Sequence, residues 1–547
     1  MASKDLHEHI ALLEANGMLL RITRPINKDT ELNPLCRLQF LSLPEKQRRA
    51  FLFENVVDSK GRHYDTPVLI GAMAASEKMY EMGIDCKASE VLKKIDEAIS
   101  RPIEPHEVTE APVQEVVVRV DKDENAQHGF DLFPIPISTP GFDPAPFLTC
   151  AQWVTEDPAT GERNVGNYRA HIKSPTRCGL KILGPQQDIF IHIKSAVEMG
   201  VDLPVAIVIG GPPALNYAAT LKAPRGMDEI GVAGAMMGES IPVVRCKTSN
   251  LMVPANAEIV FEGVIKMDEL EIEGPFGEYH GYMNPSHHDL FMELKCVTYR
   301  KDAIFETLLS QAPPTESSVM LGINANGVLT RRLVGEMGIK SVKEVYCYNK
   351  EFGAKALTVI QFDNPANDEV VRAMMAAASA YALGSKMIVA VDSDIDPRSI
   401  EKVLWAISVR CEPDADMQII RGFKKGPLPP FGPLDEEGNC TTLNGDAPQS
   451  VVLIDATLRG RKFSPVSLPR RQYMERACEI WKELGLPELD LSMPWYGYDL
   501  GGWSEKLTRR ADMATAGDYF ELDEYYRRTR VPFTEYYTLK KPARQKG

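Results

Sequence analysis

The stretch from residue 148 to 307 limits the possible folds most, because it is a succession of short apolar segments separated by turns. Strands are predicted at 149–155, 167–173, 204–209, 241–247, 258–265 and 291–299. One predicted helix, at 189–199, interrupts them. Many strands with few crossover helices favour antiparallel pairing, because parallel neighbours need long helical connections. This stretch therefore predicts a β-barrel-like central domain.

Helices alternate with strands on both sides of the central stretch. Before it, helices are predicted at 4–15, 76–83 and 88–100, and strands at 49–56, 67–72 and 113–120. After it, helices are predicted at 325–337, 368–382, 397–406 and 470–484, and strands at 342–347, 356–361 and 387–391. Such alternation predicts α/β domains with partly parallel sheets. The predicted fold class is mixed α/β, and the length indicates roughly three or four domains.

The composition restricts the partners and the compartment. The formal net charge is −14, which disfavours nucleic acid and anionic membrane surfaces as main partners. The longest apolar runs, 203–211 and 374–384, are shorter than the ~18 residues that span a bilayer, and charged residues at the start of the chain argue against a secretory segment. Ten cysteines without a C-x-x-C pair indicate reduced thiols. We expect a soluble cytoplasmic protein.

The segment 273–282 carries two carboxylates, Glu273 and Glu278, across a Gly-Pro-Phe-Gly turn with aromatic neighbours. Proline and glycine prevent a continuous helix, so the segment is predicted to be a shaped loop, and such loops often carry function. Burial beside aromatic rings raises the pKa of a carboxyl group, as a general acid near neutral pH requires. From this pattern alone, a turn with two solvated glutamates is an equally good interpretation.

Three further segments carry oxygen ligands. Asn164 lies in the segment 163–169, which also holds a glycine and two arginines, and Glu229 precedes a run of small residues. Asp188 opens a predicted helix, so it is either a ligand or a simple N-cap. Together these three side chains would form an all-oxygen site, which suits Mn²⁺ or Mg²⁺ better than Zn²⁺.

Two other patterns carry weaker signals. His287-His288 is interpreted as a surface pair rather than a metal site. The alternating aspartates of 392–396 begin like a calcium loop, but Pro397 and Val403 replace the glycine and glutamate that such a loop needs. We interpret those aspartates as turn and helix-capping residues.

Four motifs occur in the order R-N-x-G-x-Y-R, L-P-V-A-I-x-I-G, V-P-A-x-A-E-I-V-x-E-G and E-G-P-F-G-E-x-x-G-Y. They resemble the UbiD family of decarboxylases, from about residue 5 to 465 and most strongly over 163–305. The resemblance implies a split β-barrel flavin-binding domain that holds prenylated FMN with a divalent metal (Mn²⁺, Mg²⁺ or Fe²⁺) and K⁺. It also implies reversible decarboxylation of aromatic, heteroaromatic or α,β-unsaturated acids.

The resemblance assigns roles residue by residue. Metal-ligand positions are Asn164, Asp188 and Glu229, and a substrate-pocket position is Leu321. Cofactor-binding positions are Asn164, Val165, Gly166, Asn167, Tyr168, Arg169, Gln187, Asp188 and Glu229. Arg169, Glu273 and Glu278 fall on an acid–guanidinium–acid catalytic network. Glu278 is the expected proton donor, while Arg169 orients the substrate carboxylate and Glu273 holds Arg169 in place.

Two positions depart from the family pattern. Asp188 stands where the family commonly has histidine, and its negative charge favours hard metals further. Val451 stands four residues before the D-A-T triplet at 455–457, where the family often has a lysine for the cofactor phosphate. Either phosphate anchoring differs, or another cation such as Arg459 or Lys462 supplies it.

These assignments divide the chain into an N-terminal α/β domain at 1–110, a central prenylated-FMN and metal domain at 111–315, a C-terminal α/β domain at 316–465, and an oligomerisation helix and tail at 466–547. We expect a homodimer or homohexamer in which the apolar face of helix 470–484 contacts a neighbouring subunit. The expected substrate is a small aromatic acid or its CoA thioester, and a flavin prenyltransferase is the expected cofactor supplier. The alternatives are a carboxylase running in the reverse direction, an ordinary FMN-dependent reductase, and a non-catalytic flavin-binding subunit.

Overall fold

The computed structural model describes residues 2–120, 128–182, 187–221, 226–278, 281–353, 357–380, 385–423, 449–458, 464–497 and 503–532. The chain divides into two units, Met1–Ala390 with Cys411–Asp455, and Val391–Arg410 with Ala456–Gly547. Among the described residues, no helix combines the length and the apolar character needed to cross a membrane. The four domain boundaries given above stay a prediction.

The N-terminal part is an α/β layer. Its helices are α1 (Leu6–Ala15), α2 (Leu32–Ser42), α3 (Glu77–Ile84) and α4 (Val91–Ser100). Its strands are β1 (Leu19–Ile22), β2 (Ile26–Asn27), β3 (Ala50–Phe53), β4 (Val56–Val57), β5 (His63–Tyr64), β6 (Val68–Ile70), β7 (His106–Glu107) and β8 (Val116–Arg119). The side chain of Asp5 accepts a hydrogen bond from the Glu8 amide at 2.9 Å and caps α1, whose Leu6 and Leu13 are buried. Helix α2 was not predicted, because Pro34 lies inside it. A proline is tolerated in the first turn, where amides have no intrahelical acceptor.

The central part contains a large antiparallel sheet. The strands of the central part, several of which belong to smaller sheets, are β9 (Phe147–Leu148), β10 (Gln152–Glu156), β11 (Arg163–Asn167), β12 (Ala170–Ser174), β13 (Arg177–Leu180), β14 (Leu203–Ile209), β15 (Pro242–Arg245), β16 (Met252–Pro254), β17 (Ile259–Ile265), β18 (Glu271–Glu273), β19 (Phe276–Gly277), β20 (Met283–Asn284), β21 (His287–Asp289), β22 (Phe291–Tyr299) and β23 (Phe305–Thr307). The helices are α5 (Asp188–Met199), α6 (Pro213–Ala218) and α7 (Glu229–Met237). The sheet runs β11-β10-β14-β17-β22-β13-β12-β9, with β8 on β22, and β23 joins the N-terminal sheet β1-β3-β6. The predicted mixed α/β fold with a barrel-like antiparallel centre is confirmed.

One predicted strand, 167–173, is wrong as a single element. Strand β11 ends at Asn167 and pairs with β10, whereas β12 begins at Ala170 and pairs with β9 and β13. The connecting residues Tyr168 and Arg169 therefore carry the chain between two parts of the sheet. The Trp153 indole nitrogen donates to the Tyr168 carbonyl at 2.9 Å and helps to fix this crossing.

The C-terminal part of the first unit is a mixed five-stranded sheet with helices. Its helices are α8 (Glu316–Thr330), α9 (Asn349–Phe352), α10 (Asn367–Ser379) and α12 (Pro413–Asp416), where α11 (Ile400–Arg410) belongs to the second unit. A π-helical stretch, Arg331–Glu336, extends α8. The strands are β24 (Val342–Cys347), β25 (Leu357–Phe362), β26 (Met387–Asp392), β27 (Met417–Phe423) and β28 (Gln449–Asp455), in the order β24-β25-β26-β28-β27. The β26–β28 pair is parallel and the β27–β28 pair antiparallel, so the predicted partly parallel sheet is confirmed.

Helix α8 begins well before the predicted start at residue 325. Thr315 caps it by accepting from the Ser318 amide at 3.2 Å, and the Ser318 hydroxyl accepts from the Thr315 amide at 2.9 Å. This reciprocal pair fixes the start of the helix. Buried residues such as Val319 and Ala325 lie on several faces, so the helical periodicity of apolar residues is weak.

The second unit holds α11, α13 (Arg471–Glu483), α14 (Glu505–Ala516) and α15 (Asp523–Arg528). Arg410 donates to Asp394 at 2.9 Å, and both side chains are buried, so a guanidinium supplies the positive charge beside this aspartate. This supports the rejection of a calcium loop. The apolar face of α13 is exposed, with Tyr473 42% and Ile480 41% accessible. Its role as a subunit interface stays a prediction.

Two buried carboxyl groups, Glu306 on β23 and Glu316 at the start of α8, lie in the core of the first unit. Glu306 accepts from the Asn216 amide at 3.0 Å, and Glu316 accepts from the backbone amides of Gly71 at 3.1 Å and Leu309 at 2.9 Å. Burial raises the pKa of each to about 7, and the charge of Glu316 adds to the shift at Glu306. Each group therefore favours its neutral form in the folded chain.

Replacing Glu306 by glutamine should stabilise the protein at pH 8 relative to wild type. Because the folded-state pKa lies above the unfolded one, the unfolded chain ionises first, so the contribution of Glu306 is fully present below about pH 4.5 and is lost as the pH rises through about 7. The neutral amide avoids this loss, which amounts to at most about 3 kcal/mol. Thermal unfolding at pH 5 and pH 8 measures it, with Glu269→Gln at an exposed position as control. A Glu306→Gln variant whose difference from wild type is the same at both pH values would contradict this account.

Candidate active site

Arg169 joins two carboxylates that are five positions apart in the sequence. Its Nε and Nη2 donate to the two oxygens of Glu273 at 2.8 and 2.7 Å, and its Nη1 donates to Glu278. Glu273 is 0% and Glu278 9% exposed. The interpretation as a turn with two solvated glutamates is therefore wrong. The structure brings together the three residues that the sequence assigned to a catalytic network.

The turn between the two carboxylates is built by short strands and aromatic packing. Glu273 ends β18, which pairs with β21, and the next two turn residues lead into β19, which pairs with β20. Gly274 has a φ of 83°, a backbone conformation that favours glycine. The Phe276 ring lies against Phe147, with centroids 4.4 Å apart, and the Arg169 guanidinium lies 4.8 Å from its centre. Tyr279 and His280 lie outside the described residues, and Tyr282 is 60% exposed.

The two carboxyl groups have opposite electrostatic environments. Burial by itself raises the pKa of Glu273, but the charge and the paired hydrogen bonds of Arg169 outweigh burial and hold that pKa below its usual value. Burial raises the pKa of Glu278, because its single contact with Arg169 and the repulsion from Glu273 leave desolvation dominant. Two carboxyl groups whose pKa values are shifted in opposite directions beside a shared guanidinium is the arrangement expected when the groups have different acid–base roles.

Asn164, Asp188 and Glu229 line one pocket, together with the side chains of Arg163 and His192. Asn164 lies on β11, while Asp188 and Glu229 are the first residues of α5 and α7. Gln187 is the N-cap of α5, so the alternative that Asp188 is the N-cap is wrong. Two helix N-termini and three oxygen-bearing side chains therefore converge at this pocket.

The residues of this pocket fit a cation. Glu229 is 6% exposed and accepts from the Val165 amide at 2.8 Å. Burial raises its pKa to about 8, and the charge of Asp188 adds to the effect. The amide nitrogen of Asn164 is buried and has no hydrogen-bond partner among the described residues. Because the two ends of an amide are interchangeable by rotation, its oxygen can face a metal instead. A divalent cation would relieve the crowding of negative charge, and the helix N-termini would favour a phosphate beside it.

The segment between the pocket and the catalytic network is shaped by small and packed residues. A Cβ atom on Gly166 would lie 2.4 Å from the ring of Tyr168, so only glycine fits there. Val165 is buried, and the side-chain oxygen of Asn167 accepts from the Ala151 amide at 3.1 Å, which fixes the end of β11. Arg169 lies five positions after Asn164, so their Cα atoms are at most about 18 Å apart. One elongated cofactor can contact both places.

The remaining predicted positions are less defined. Leu321 is half-buried on α8. Val451 is fully buried in β28, so it makes no exposed phosphate contact. Arg459 and Lys462, the alternative cations, lie outside the described residues. The roles of these residues stay predictions, as do the metal and cofactor assignments.

Sequence reasoning missed an ionisable side chain beside Glu273. His287 was interpreted as one of a surface pair, but it lies directly opposite Glu273 in the β18–β21 register and is only 21% exposed at its side chain. His288 is exposed, because successive strand residues point to opposite faces. Recognising β21 as a strand would have separated the two histidines. Lys181 and Asp289, which contact His287, carried no local signal at all.

Comparison with known proteins gives the family. The family described as 3-octaprenyl-4-hydroxybenzoate carboxy-lyase matches the chain with its N-terminal domain over residues 10–99, its Rift-related domain over 106–313 and its C-terminal domain over 321–456. Phenolic acid decarboxylase of Bacillus subtilis (strain 168) is 32% identical over 439 residues, which cover 79% of this chain and 89% of that protein.

Solved structures agree with this match. An evolved dimeric form of the UbiD-class enzyme HmfF from Pelotomaculum thermopropionicum, in complex with prFMN, has a TM-score of 0.72 and 27% identity, covering 85% of this chain and 97% of that one. Vanillic acid decarboxylase of Sedimentibacter hydroxybenzoicus has a TM-score of 0.71 and 24% identity, covering 88% and 100%, and supports the fold. By these matches over most of its length, the chain belongs to the UbiD family and is a carboxy-lyase.

Proposed function

We propose that this carboxy-lyase uses prenylated FMN to decarboxylate an aromatic or α,β-unsaturated carboxylic acid, or its CoA thioester, with Glu278 as the proton donor. The observation that carries the proposal is the buried Arg169 between Glu273, whose pKa it holds below the usual value, and Glu278, whose pKa burial raises. The family membership and the prFMN-bound structure of HmfF support the choice of cofactor.

The chain's own residues account for the steps that involve charge and protons. Arg169 can pair with the substrate carboxylate in a water-poor site, because its guanidinium is always charged and offers several donors. Glu273 keeps that guanidinium oriented through two hydrogen bonds. Burial raises the pKa of Glu278 and so favours its neutral form, which does not repel an anionic substrate and can deliver a proton to the carbon that loses CO₂. In the reverse direction the same group acts as the base. When bound, prenylated FMN supplies the electrophile that accommodates the electron pair left by departing CO₂.

Asn164, Asp188 and Glu229 would hold a divalent metal, with Mn²⁺ as the proposed ion and Mg²⁺ or Fe²⁺ as alternatives, and the positive charge of that ion would attract the cofactor phosphate. The buried carboxylate of Glu229 and the unpaired amide of Asn164 support this assignment. We further propose K⁺ as a second ion, a homodimer or homohexamer in the cytoplasm, and cofactor supply by a flavin prenyltransferase.

The test is to co-express the chain with a flavin prenyltransferase, purify it, and record its spectrum and its CO₂ release from a set of aryl acids and their CoA esters. We expect a near-ultraviolet chromophore distinct from that of FMN, and CO₂ release from at least one acid without NAD(P)H. Oxidation of NAD(P)H by bound ordinary FMN, without CO₂ release, would contradict the proposal.

Replacing Asp188 by alanine should weaken manganese binding by at least about 10–100-fold, the range typical even for losing an outer-shell partner. Metal analysis and Mn²⁺ titration of the cofactor-free protein measure this. Glu162→Gln changes a carboxylate at the rim of the same pocket and serves as the control. Asp188→His, which introduces the family's common residue, should retain the metal. Wild-type metal content in Asp188→Ala would exclude Asp188 as a ligand.

A further inference from the structure

A second set of charged side chains contacts Glu273. The Glu273 oxygen that binds Arg169 at 2.7 Å also lies 3.4 Å from Nε2 of His287. The same nitrogen lies 3.3 Å from a carboxylate oxygen of Asp289 and contacts Nζ of Lys181. Lys181 is 17% and Asp289 11% exposed at the side chain, so the group is largely shielded from solvent.

Local structure fixes each member of this group. The β18–β21 register places His287 opposite Glu273, and Asp289 two positions further lies on the same face of β21. Asp289 accepts from the Ile182 amide at 3.0 Å, which ties β21 to the residues directly after β13. Lys181 lies there too, 3.7 Å from Asp289. The contacts therefore follow from strand pairing rather than from flexible surface side chains.

The hydrogen-bond geometry allows Lys181 and His287 to share one positive charge. Nδ1 of His287 faces the Pro285 carbonyl at 3.3 Å, and a carbonyl only accepts, so Nδ1 carries a hydrogen. Nε2 then either accepts from a Lys181 ammonium or is itself protonated and donates to the Lys181 amine. Both arrangements give the pair one extra proton, and the carboxylates of Asp289 and Glu273 beside the pair favour them over an arrangement in which both groups are neutral. Burial lowers the pKa of Lys181, against the charge of Asp289, which makes such sharing easier.

The positive charge of this pair favours the ionised form of both catalytic carboxyl groups, but His287 is in direct contact with Glu273. Arg169 carries a single charge and contacts both carboxylates. Among the described residues, Glu273 alone has an additional ion-pair contact, with His287. The other ionisable groups that face the network are His171, whose Nδ1 accepts from the Gly274 amide at 3.3 Å, Lys173 and Glu271, which pair at 2.9 Å, and Asp143 from the loop beside Gly277. None of these forms an ion pair with Glu273 or Glu278 among the described residues.

We propose that Lys181 and His287, oriented by Asp289, are positioning residues that keep Glu273 ionised, so that the one proton of the network stays on Glu278. The inference rests on the proposed function, since it explains how the proton donor is selected. Sharing of one positive charge between Lys181 and His287 predicts that single and double variants behave differently. Removing Lys181 or His287 alone leaves the charge on the remaining partner, whereas removing both eliminates it.

The test is an infrared titration of the cofactor-free protein, in which the carboxyl bands of the network are assigned by their loss in Glu273→Gln and Glu278→Gln. The double variant Lys181→Met/His287→Gln should raise the apparent pKa of the carboxyl pair by about one unit, because a nearby cation favours the ionised form. Each single variant should shift it by less than half as much. His288→Gln, at the exposed neighbour, should leave it unchanged.

A second double variant, Lys181→Gln/His287→Gln, keeps polar side chains at both positions. It allows the same titration of the carboxyl pair if the first double variant does not fold. An unchanged titration in a folded double variant would overturn the proposal, and so would single-variant shifts that add up to the shift of the double variant. The titration needs neither cofactor nor substrate, so its result can be interpreted even if the wild-type protein releases no CO₂. An absence of CO₂ release would contradict the proposed function but not the role proposed for Lys181 and His287.

Discussion

Replacing Glu278 by glutamine should lower turnover by about 10²–10⁴-fold, the usual contribution of a positioned proton donor or acceptor. Glutamine has nearly the same shape and can still accept a hydrogen bond from Arg169, so the fold and the bound cofactor should be retained. The amide cannot release a proton to carbon. Rates with a reactive acid, together with cofactor content measured by absorbance, separate loss of chemistry from loss of binding.

Glu271→Gln provides a matched control for this experiment. Glu271 lies on the same strand as Glu273, pairs with Lys173 at 2.9 Å and is 25% exposed at the side chain. Its replacement should leave turnover close to wild type. Turnover of Glu278→Gln within a few-fold of wild type would remove Glu278 as proton donor and direct attention to another acid of the site.

Replacing Arg169 by methionine should both abolish activity and destabilise the protein by about 3–5 kcal/mol at pH 8, since it leaves buried carboxylates without their cation. The loss of stability should be smaller at low pH. In wild type the pKa of Glu273 is held below its usual value, so its pairing stabilises the fold above about pH 4.5 and that stability is lost as the pH falls. In the variant both carboxyl groups become neutral as the pH falls, which removes the penalty.

Thermal unfolding of Arg169→Met and wild type at pH 5 and pH 8 measures this effect. Arg177→Met is the control, because Arg177 also pairs with a glutamate but is 45% exposed at the side chain, and exposed pairs contribute little. An equal loss of stability in Arg169→Met at both pH values would show that the loss comes from missing packing contacts rather than from a buried, unpaired carboxylate.

Local sequence patterns predicted most of the regular structure. Strands such as β22 and β24 were predicted within a residue of their observed bounds, because alternating or continuous apolar runs are local signals. The missed features depend on context. Helix α2 was missed because Pro34 interrupts its sequence pattern. The predicted strand 167–173 forms two strands because each half pairs with a different neighbour.

The candidate site was predicted unevenly for the same reason. The spacing of Glu273 and Glu278 across a glycine-proline turn was readable, but their burial and their contact with Arg169 arise from pairing between distant strands. Only the family resemblance pointed to Arg169. Neither the local sequence patterns nor the family resemblance indicated Lys181 and His287. Their contact depends on the relative positions of β13 and β21, which local patterns do not determine.

The most direct test of the central claim is to run wild-type holoenzyme with an accepted acid in D₂O and to analyse the product by mass spectrometry and NMR. The account predicts one deuterium at the carbon that carried the carboxylate, one CO₂ per product, and no consumption of NAD(P)H. It also predicts that Glu278→Gln suppresses both deuterium incorporation and CO₂ release. Product formed at the wild-type rate by Glu278→Gln, or a wild-type reaction that consumes NAD(P)H and releases no CO₂, would contradict it.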